Sequence, residues 1–171
     1  MWEYRGRRAE DGQDKDCPPC PHKPKKTALM YAVDLLARQE QSESRLREKL
    51  QRKGYEKTEI DSAINRLVEK HYLSDEDACA RQFAFLYEES RSSVRQIVMK
   101  LRQRGFEASM VRACIPADIF EREKAAALRV LALKFKPSAD RQKMMANLYS
   151  KGFESSAIRA AVEEFHQETE E

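Results

Sequence analysis

The sequence predicts an all-α protein, three tandem helix-turn-helix-like repeats of three helices each in an elongated, curved array, with a disordered N-terminal tail. Two observations carry that expectation. Ala, Leu and Met number 39 of 171 residues against 16 for Val, Ile and Thr, with 5 glycines, a balance that favours helices and leaves a sheet short of strand formers and turns. The second is a spacing of apolar residues that recurs around Gly54, Gly105 and Gly152; self-similarity at such a period is the mark of a repeat architecture.

The elements follow in chain order. Residues 1–26 hold four of the six prolines, mixed charges and few apolar side chains beyond Trp2 and Tyr4, a composition too poor in apolar surface to offset chain entropy. Thr27 is placed to cap a first helix with apolar positions Leu29, Met30, Val33, Leu36 and Ala37. Ser42 or Ser44 caps a second, which runs to about Lys53 and is stopped by Gly54. A third, from about Lys57 to Lys70, carries Ile60, Ala63, Ile64, Leu67 and Val68 at the spacing of one buried face. Ser74 opens the fourth, with Asp75, Glu76 and Asp77 at the positive end of the helix dipole and an end near Glu89.

The pattern then returns. Leu46 and Leu50 before Gly54 correspond to Ile97 and Leu101 before Gly105, and to Met144 and Leu148 before Gly152. Tyr55, Phe106 and Phe153 follow the glycines, and Ile60, Ala63 and Ile64 correspond to Val111, Cys114 and Ile115 and to Ile158, Ala161 and Val162. This predicts a fifth and a short sixth helix around Gly105, and an eighth and ninth around Gly152. The seventh is expected from Pro116 to about Lys136, since proline suits a first helical turn. Unit boundaries are placed at 27–72, 73–115 and 116–168, with 169–171 as an acidic end.

The aromatics Tyr31, Tyr55, Tyr72, Phe83, Phe85, Phe106, Phe120, Phe135, Tyr149, Phe153 and Phe165 are assigned to core packing, Tyr31 and Phe85 fitting their stripes least cleanly. Apolar runs are only a few residues long, so no membrane span or signal-peptide core can be placed and a cytoplasmic location is expected. Cys79 and Cys114 lie at apolar helical positions and are read as reduced thiols. Cys17-Pro-Pro-Cys20 with His22 has zinc-knuckle spacing but no second ligand pair nearby. No cofactor or metal is expected. His22, His71 and His166 pair with no nucleophile in the sequence, and phosphate-loop, dinucleotide and metalloprotease motifs are missing, so no catalysis is expected.

Charge is unevenly spread behind a net value of +3. From Arg91 to Arg112 six basic residues face one acid, and from Arg122 to Lys151 eight face two; from Glu154 to Glu171 six acids oppose one arginine. A cationic face on a helical array suits phosphates or an acidic protein groove. No cluster of Asn, Gln and Arg on one exposed face suggests direct base reading.

Several linked stretches resemble the RecX family of regulators of the RecA recombinase. They are Ala32 to Leu36, Ser42-Glu43-Ser44-Arg45-Leu46-Arg47-Glu48-Lys49-Leu50, Lys53-Gly54-Tyr55, and Tyr72-Leu73-Ser74-Asp75-Glu76 with Ala78 and Ala80. Ser74 stands where such proteins often carry an acid. The resemblance spans about residues 27–167 and implies a non-enzymatic regulator in homologous recombination, DNA repair and the SOS response. It implies binding in the groove of a RecA filament on single-stranded DNA, restraining filament growth, ATP hydrolysis and strand exchange. Taken with the charge distribution, the expected contact residues are Arg91, Arg95, Lys100, Arg102, Arg104, Lys134, Lys136, Arg141 and Lys143, with DNA phosphates as a further target and a monomer as the expected state. The competing reading is a helical-repeat protein that binds DNA or RNA by itself.

Overall fold

A computed structural model describes residues 26–167. The Cys17, Cys20 and His22 group, nearly all of the proline-rich segment and the last residues of the chain lie outside that range. The described residues form nine helices: α1 (Ala28–Arg38), α2 (Glu43–Arg52), α3 (Lys57–Glu69), α4 (Asp75–Glu89), α5 (Val94–Gln103), α6 (Ala108–Ala113), α7 (Phe120–Lys134), α8 (Arg141–Ser150) and α9 (Ser155–Gln167). Every substantial helix-helix contact lies within a consecutive triplet, and each triplet encloses its own apolar cluster.

The repeated positions build these clusters. Leu46, Leu50, Ile97, Leu101, Met144 and Leu148 are wholly buried, and Tyr55, Phe106 and Phe153 nearly so. Gly54, Gly105 and Gly152 take φ of 91°, 90° and 76°, the left-handed turn that L side chains resist and that lets the following aromatic fold back. The N–H groups of Tyr55, Phe106 and Phe153 donate to the carbonyls of Leu50, Leu101 and Leu148, closing each helix end with the same geometry.

Successive triplets are joined by a contact that occurs twice. The Ser42 hydroxyl caps α2 by accepting from Arg45 N–H and donates to the Arg104 carbonyl at 2.6 Å, at the end of α5 in the next unit. The Ser93 hydroxyl caps α5 in the same way and donates to the Lys151 carbonyl at 2.7 Å, at the end of α8. Beside each serine, the first helical N–H is received by a carboxylate of the following unit: Glu43 N–H by Asp75 at 2.7 Å, Val94 N–H by Glu123 at 2.6 Å. Ser42 and Ser93 stand twelve residues before Gly54 and Gly105, and the third such position is Asp140. Asp140 caps α8 by accepting from Gln142 N–H, and is exposed.

Three expectations are corrected. α7 starts at Phe120, not Pro116, and ends at Lys134: residues 116–119 are spent on the link, and the Asp118 carboxylate receives the Phe120 N–H. The late start puts Arg122 and Glu123 in the first turn, at the joint. α1 is rotated from the expected face: Met30 and Val33 are 56% and 47% exposed, whereas Ala28 and Ala32 are buried, because these small residues allow close approach to the core. Val68, Tyr72, Phe85 and Tyr149, read as core, are exposed. Tyr31 does join the first core, with its ring 6.1 Å from that of Tyr55.

A Cβ on Gly54 would meet nothing within 4 Å, whereas one on Gly105 would lie 2.6 Å from the Ser42 hydroxyl. Gly54→Ala is therefore expected to cost only the left-handed penalty of about 1–2 kcal/mol, and Gly105→Ala distinctly more. Ser93→Ala should cost about 1–3 kcal/mol by orphaning the Lys151 carbonyl and Gln96 N–H. Urea unfolding of the three variants checks both.

Candidate partner-binding furrow

The second joint shapes a furrow. With the α5 cap held on the Lys151 carbonyl, the start of α5 lies against the end of α8, and the Arg95 stem passes over Gly152 so closely that a Cβ there would be 3.0 Å from Arg95 Cδ. Glu123 holds the corner from inside: only 2% exposed, it receives Val94 N–H with one oxygen and Glu154 N–H at 3.3 Å with the other. Burial pushes its carboxyl above the usual glutamate range, against the lowering effect of these bonds and of Arg122. The Arg122 guanidinium donates to the carbonyls of Leu86, Tyr87, Ser90 and Ser92 at 2.6–3.3 Å and lies 4.7 Å from the Tyr87 ring centroid. Burial lowers its pKa, and the four acceptors compensate the desolvated charge. The α4–α5 link is thereby fixed to α7.

Arg91, Gln96, Lys100, Leu133, Lys134 and Lys151 line the furrow on one side of α5, enclosing about 490 Å³. A second hollow, which shares Gln96, Lys100 and Lys151 with the first, is lined by Arg95, Met99 and Tyr149. Gln96, Met99, Lys100 and Gln103 follow the spacing of one helical face. None of Arg91, Arg95, Lys100, Lys134 and Lys151 is in an ion pair among the described residues. Lys100 donates to the Ser92 hydroxyl at 2.9 Å, and Lys134 stands 5.7 Å from the Phe135 ring centroid. Glu89 is the one acid on the lining. Some cations elsewhere are neutralised, as in Arg47 with Glu43 and Asp61, Arg81 with Glu40, and Lys124 with Glu164, while others, Arg102, Lys136, Arg141 and Lys143 among them, are in no ion pair among the described residues.

Of the nine residues expected from sequence, Arg91, Arg95, Lys100 and Lys134 come together here. Arg104 does not: its guanidinium donates to Gln82 at 2.7 Å and its carbonyl serves the first joint. Arg102, Lys136, Arg141 and Lys143 are exposed but do not line the furrow. Lys151 was not among them; its basic position before the glycine reads as helix-end electrostatics until α8 is docked against α5. No group of three or more metal-capable side chains occurs among the described residues, and no helix among them is long and apolar enough to cross a membrane.

Comparison with known proteins agrees with this architecture. Residues 28–67 match the first three-helix domain of RecX. The regulatory protein RecX of Neisseria meningitidis serogroup A is 31% identical over 147 residues, covering 82% of this chain and 92% of the relative. That of Caldanaerobacter subterraneus is 30% identical over 138 residues, covering 80% and 70%. The crystal structure of RecX from Lactobacillus salivarius superposes with a TM-score of 0.69 at 16% identity, over 82% of this chain and 95% of that one, a likeness of fold.

Because the folded-state pKa of Glu123 is raised, its contribution to stability is full below the ordinary glutamate range and is lost as pH rises through the folded value. Glu123→Gln removes that titration. The difference in urea midpoint between wild type and this variant is expected to shift against the wild type as pH rises from the carboxylate range toward neutrality.

Proposed function

The chain belongs to the RecX family of regulatory proteins, and on that premise we propose that it is a non-enzymatic regulator of the RecA recombinase that acts by lodging in the groove of the RecA filament on single-stranded DNA. The observation that carries this reading is the gathering of Arg91, Arg95, Lys100, Lys134 and Lys151, all without ion-pair partners among the described residues, along two adjoining hollows at the second joint. Unpaired cations held in fixed register meet an anionic surface without first breaking local ion pairs, and several weak contacts act together by avidity. Arg102, Arg104, Lys136, Arg141 and Lys143 extend the cationic field outside the furrow and aid encounter. Filament growth, ATP hydrolysis and strand exchange are restrained because the bound array occupies the groove those steps require. The protein works in the cytoplasm, as a monomer.

A second reading, autonomous binding to single-stranded nucleic acid, draws on Tyr149, 47% exposed beside Lys151, since an aromatic among cations suits stacked bases. Titration of the protein into RecA hydrolysing ATP on single-stranded DNA, with bare-DNA binding followed at the same salt, separates the two. Hydrolysis should fall at concentrations too low to occupy bare DNA. The triple variant Arg95→Glu, Lys100→Glu, Lys151→Glu is expected to weaken inhibition by about tenfold or more, since losing even one close interfacial charge pair costs about 1.5 kcal/mol, while Arg141→Glu with Lys143→Glu has a smaller effect. Inhibition that tracks DNA occupancy moves the function to the second reading.

A further inference from the structure

The core of the second unit differs from the other two at one matched pair of positions. Cys114 corresponds to Ala63 and Ala161 in the spacing that surrounds the three glycines. Cys79 lies fourteen residues before Ser93 as Ala28 does before Ser42, and four after Asp75 as Ala127 does after Glu123. Where the first and third units place two buried alanines, on their first and third helices, the second unit therefore places two thiols. Cys79 of α4 is buried in the second core, and Cys114, at the end of α6, packs half-buried against the same core. Both are free thiols. The Cys79 S–H donates to Cys114 Sγ, and the Cys114 S–H donates to the Met110 carbonyl at 3.3 Å. The second unit also has the smallest third helix, six residues in α6 against thirteen in α3 and in α9, so the packing of its first helix against its third is the least extensive of the three.

We propose that Cys79 and Cys114 are a reversible oxidation site, closing into a disulfide that staples the end of α6 to α4. The oxidant is a small disulfide such as oxidised glutathione. Cys114, the more exposed thiol, loses its proton and attacks one sulfur of the oxidant, forming a mixed disulfide and releasing one small thiol. Cys79 then loses its proton and attacks Cys114 Sγ, releasing the second small thiol, so that two protein thiols are oxidised and one disulfide is reduced. Burial and the neighbouring Cys114 push the Cys79 thiol up to about 12, so the closing step is slow at neutral pH and quickens about tenfold per pH unit below that value. Brief oxidation leaves the pair reduced, and sustained oxidation closes it. The closed loop contains all of α5 and with it Arg91, Arg95 and Lys100. A cross-link removes chain entropy from the unfolded state, so oxidation stabilises the unit that carries these cations without entering the furrow, which neither cysteine lines. This inference does not depend on the filament reading.

The test incubates the full-length protein with oxidised glutathione in mildly alkaline buffer, blocks remaining thiols with iodoacetamide in denaturant, and identifies tryptic peptides by mass spectrometry. The expected product links the peptides of residues 71–81 and 113–122, two hydrogens lighter than their sum, and disappears with dithiothreitol. Its yield at a fixed time should rise steeply from neutral to alkaline pH. Oxidation should raise Tm by about 5 °C or more. Cys79→Ala and Cys114→Ala each copy the alanine of the other units, so their helical circular dichroism should match the wild type while the rise in Tm is lost. These variants also separate the staple from any reaction of Cys17 and Cys20 in the same chain. Cys79 recovered fully alkylated after prolonged oxidation overturns the proposal, as does Cys114 held only as a glutathione adduct or linked to Cys114 of a second copy. A cross-link that lowers Tm does so too, since it would show that the two helices must part to accept the bond.

Discussion

One hydroxyl group governs how this chain is assembled. A helix N-cap needs an acceptor for its own orphan N–H groups, and a carboxylate or an amide serves that need as well as an alcohol. At Ser42 and Ser93 the cap has a second duty, to give a proton to a carbonyl at the end of a helix in the next unit. Among the short capping side chains, the hydroxyl of Ser or Thr both receives and gives through one atom. The glycine that follows the receiving carbonyl must also lack a Cβ, because at Gly105 that atom would stand where the serine hydroxyl is. A capping requirement and a helix-termination requirement, each local, become a joint when they meet.

The two joints differ in what surrounds this common contact, and the difference sets the character of each surface. At the first, Asp75 is partly buried and the neighbouring Arg81 and Glu40 neutralise each other, leaving apolar walls between them. At the second, the carboxylate is Glu123, sunk almost completely and bonded to two N–H groups, and Arg122 is consumed by backbone carbonyls. These contacts hold the link between α4 and α5 and the start of α5 against α7.

Much of the fold is legible in the sequence because each repeated position has a single demanding job. The apolar residues eight and four before each glycine are wholly buried in all three units, and no polar residue would be tolerated there. Less demanding positions read poorly. Met30 and Val33 look like the core face of α1, yet Ala28 and Ala32 take that face, since close helix approach selects small side chains rather than large ones. Pro116 suits a helix start, but tertiary demand for Arg122 and Glu123 at the joint moves the start to Phe120. For the furrow, the sequence reveals how much charge lies in the second and third units but not which charges share a surface. Arg95 and Lys151 are 56 positions apart and are brought together by a hydroxyl whose partner cannot be read from its own helix.

The third cap position is Asp140, whose carboxylate receives a proton-bearing group but has none to give, and the corresponding glycine of the first unit, Gly54, faces open space. Thirty and twenty-nine residues before Gly54, where the later units place Asp75 and Glu123, stand Pro24 and Lys25. Two copies laid end to end would set a carboxylate against the Lys53 carbonyl, acceptor against acceptor. The hydroxyl-to-carbonyl contact that joins successive units is therefore one that Asp140 has no proton to make.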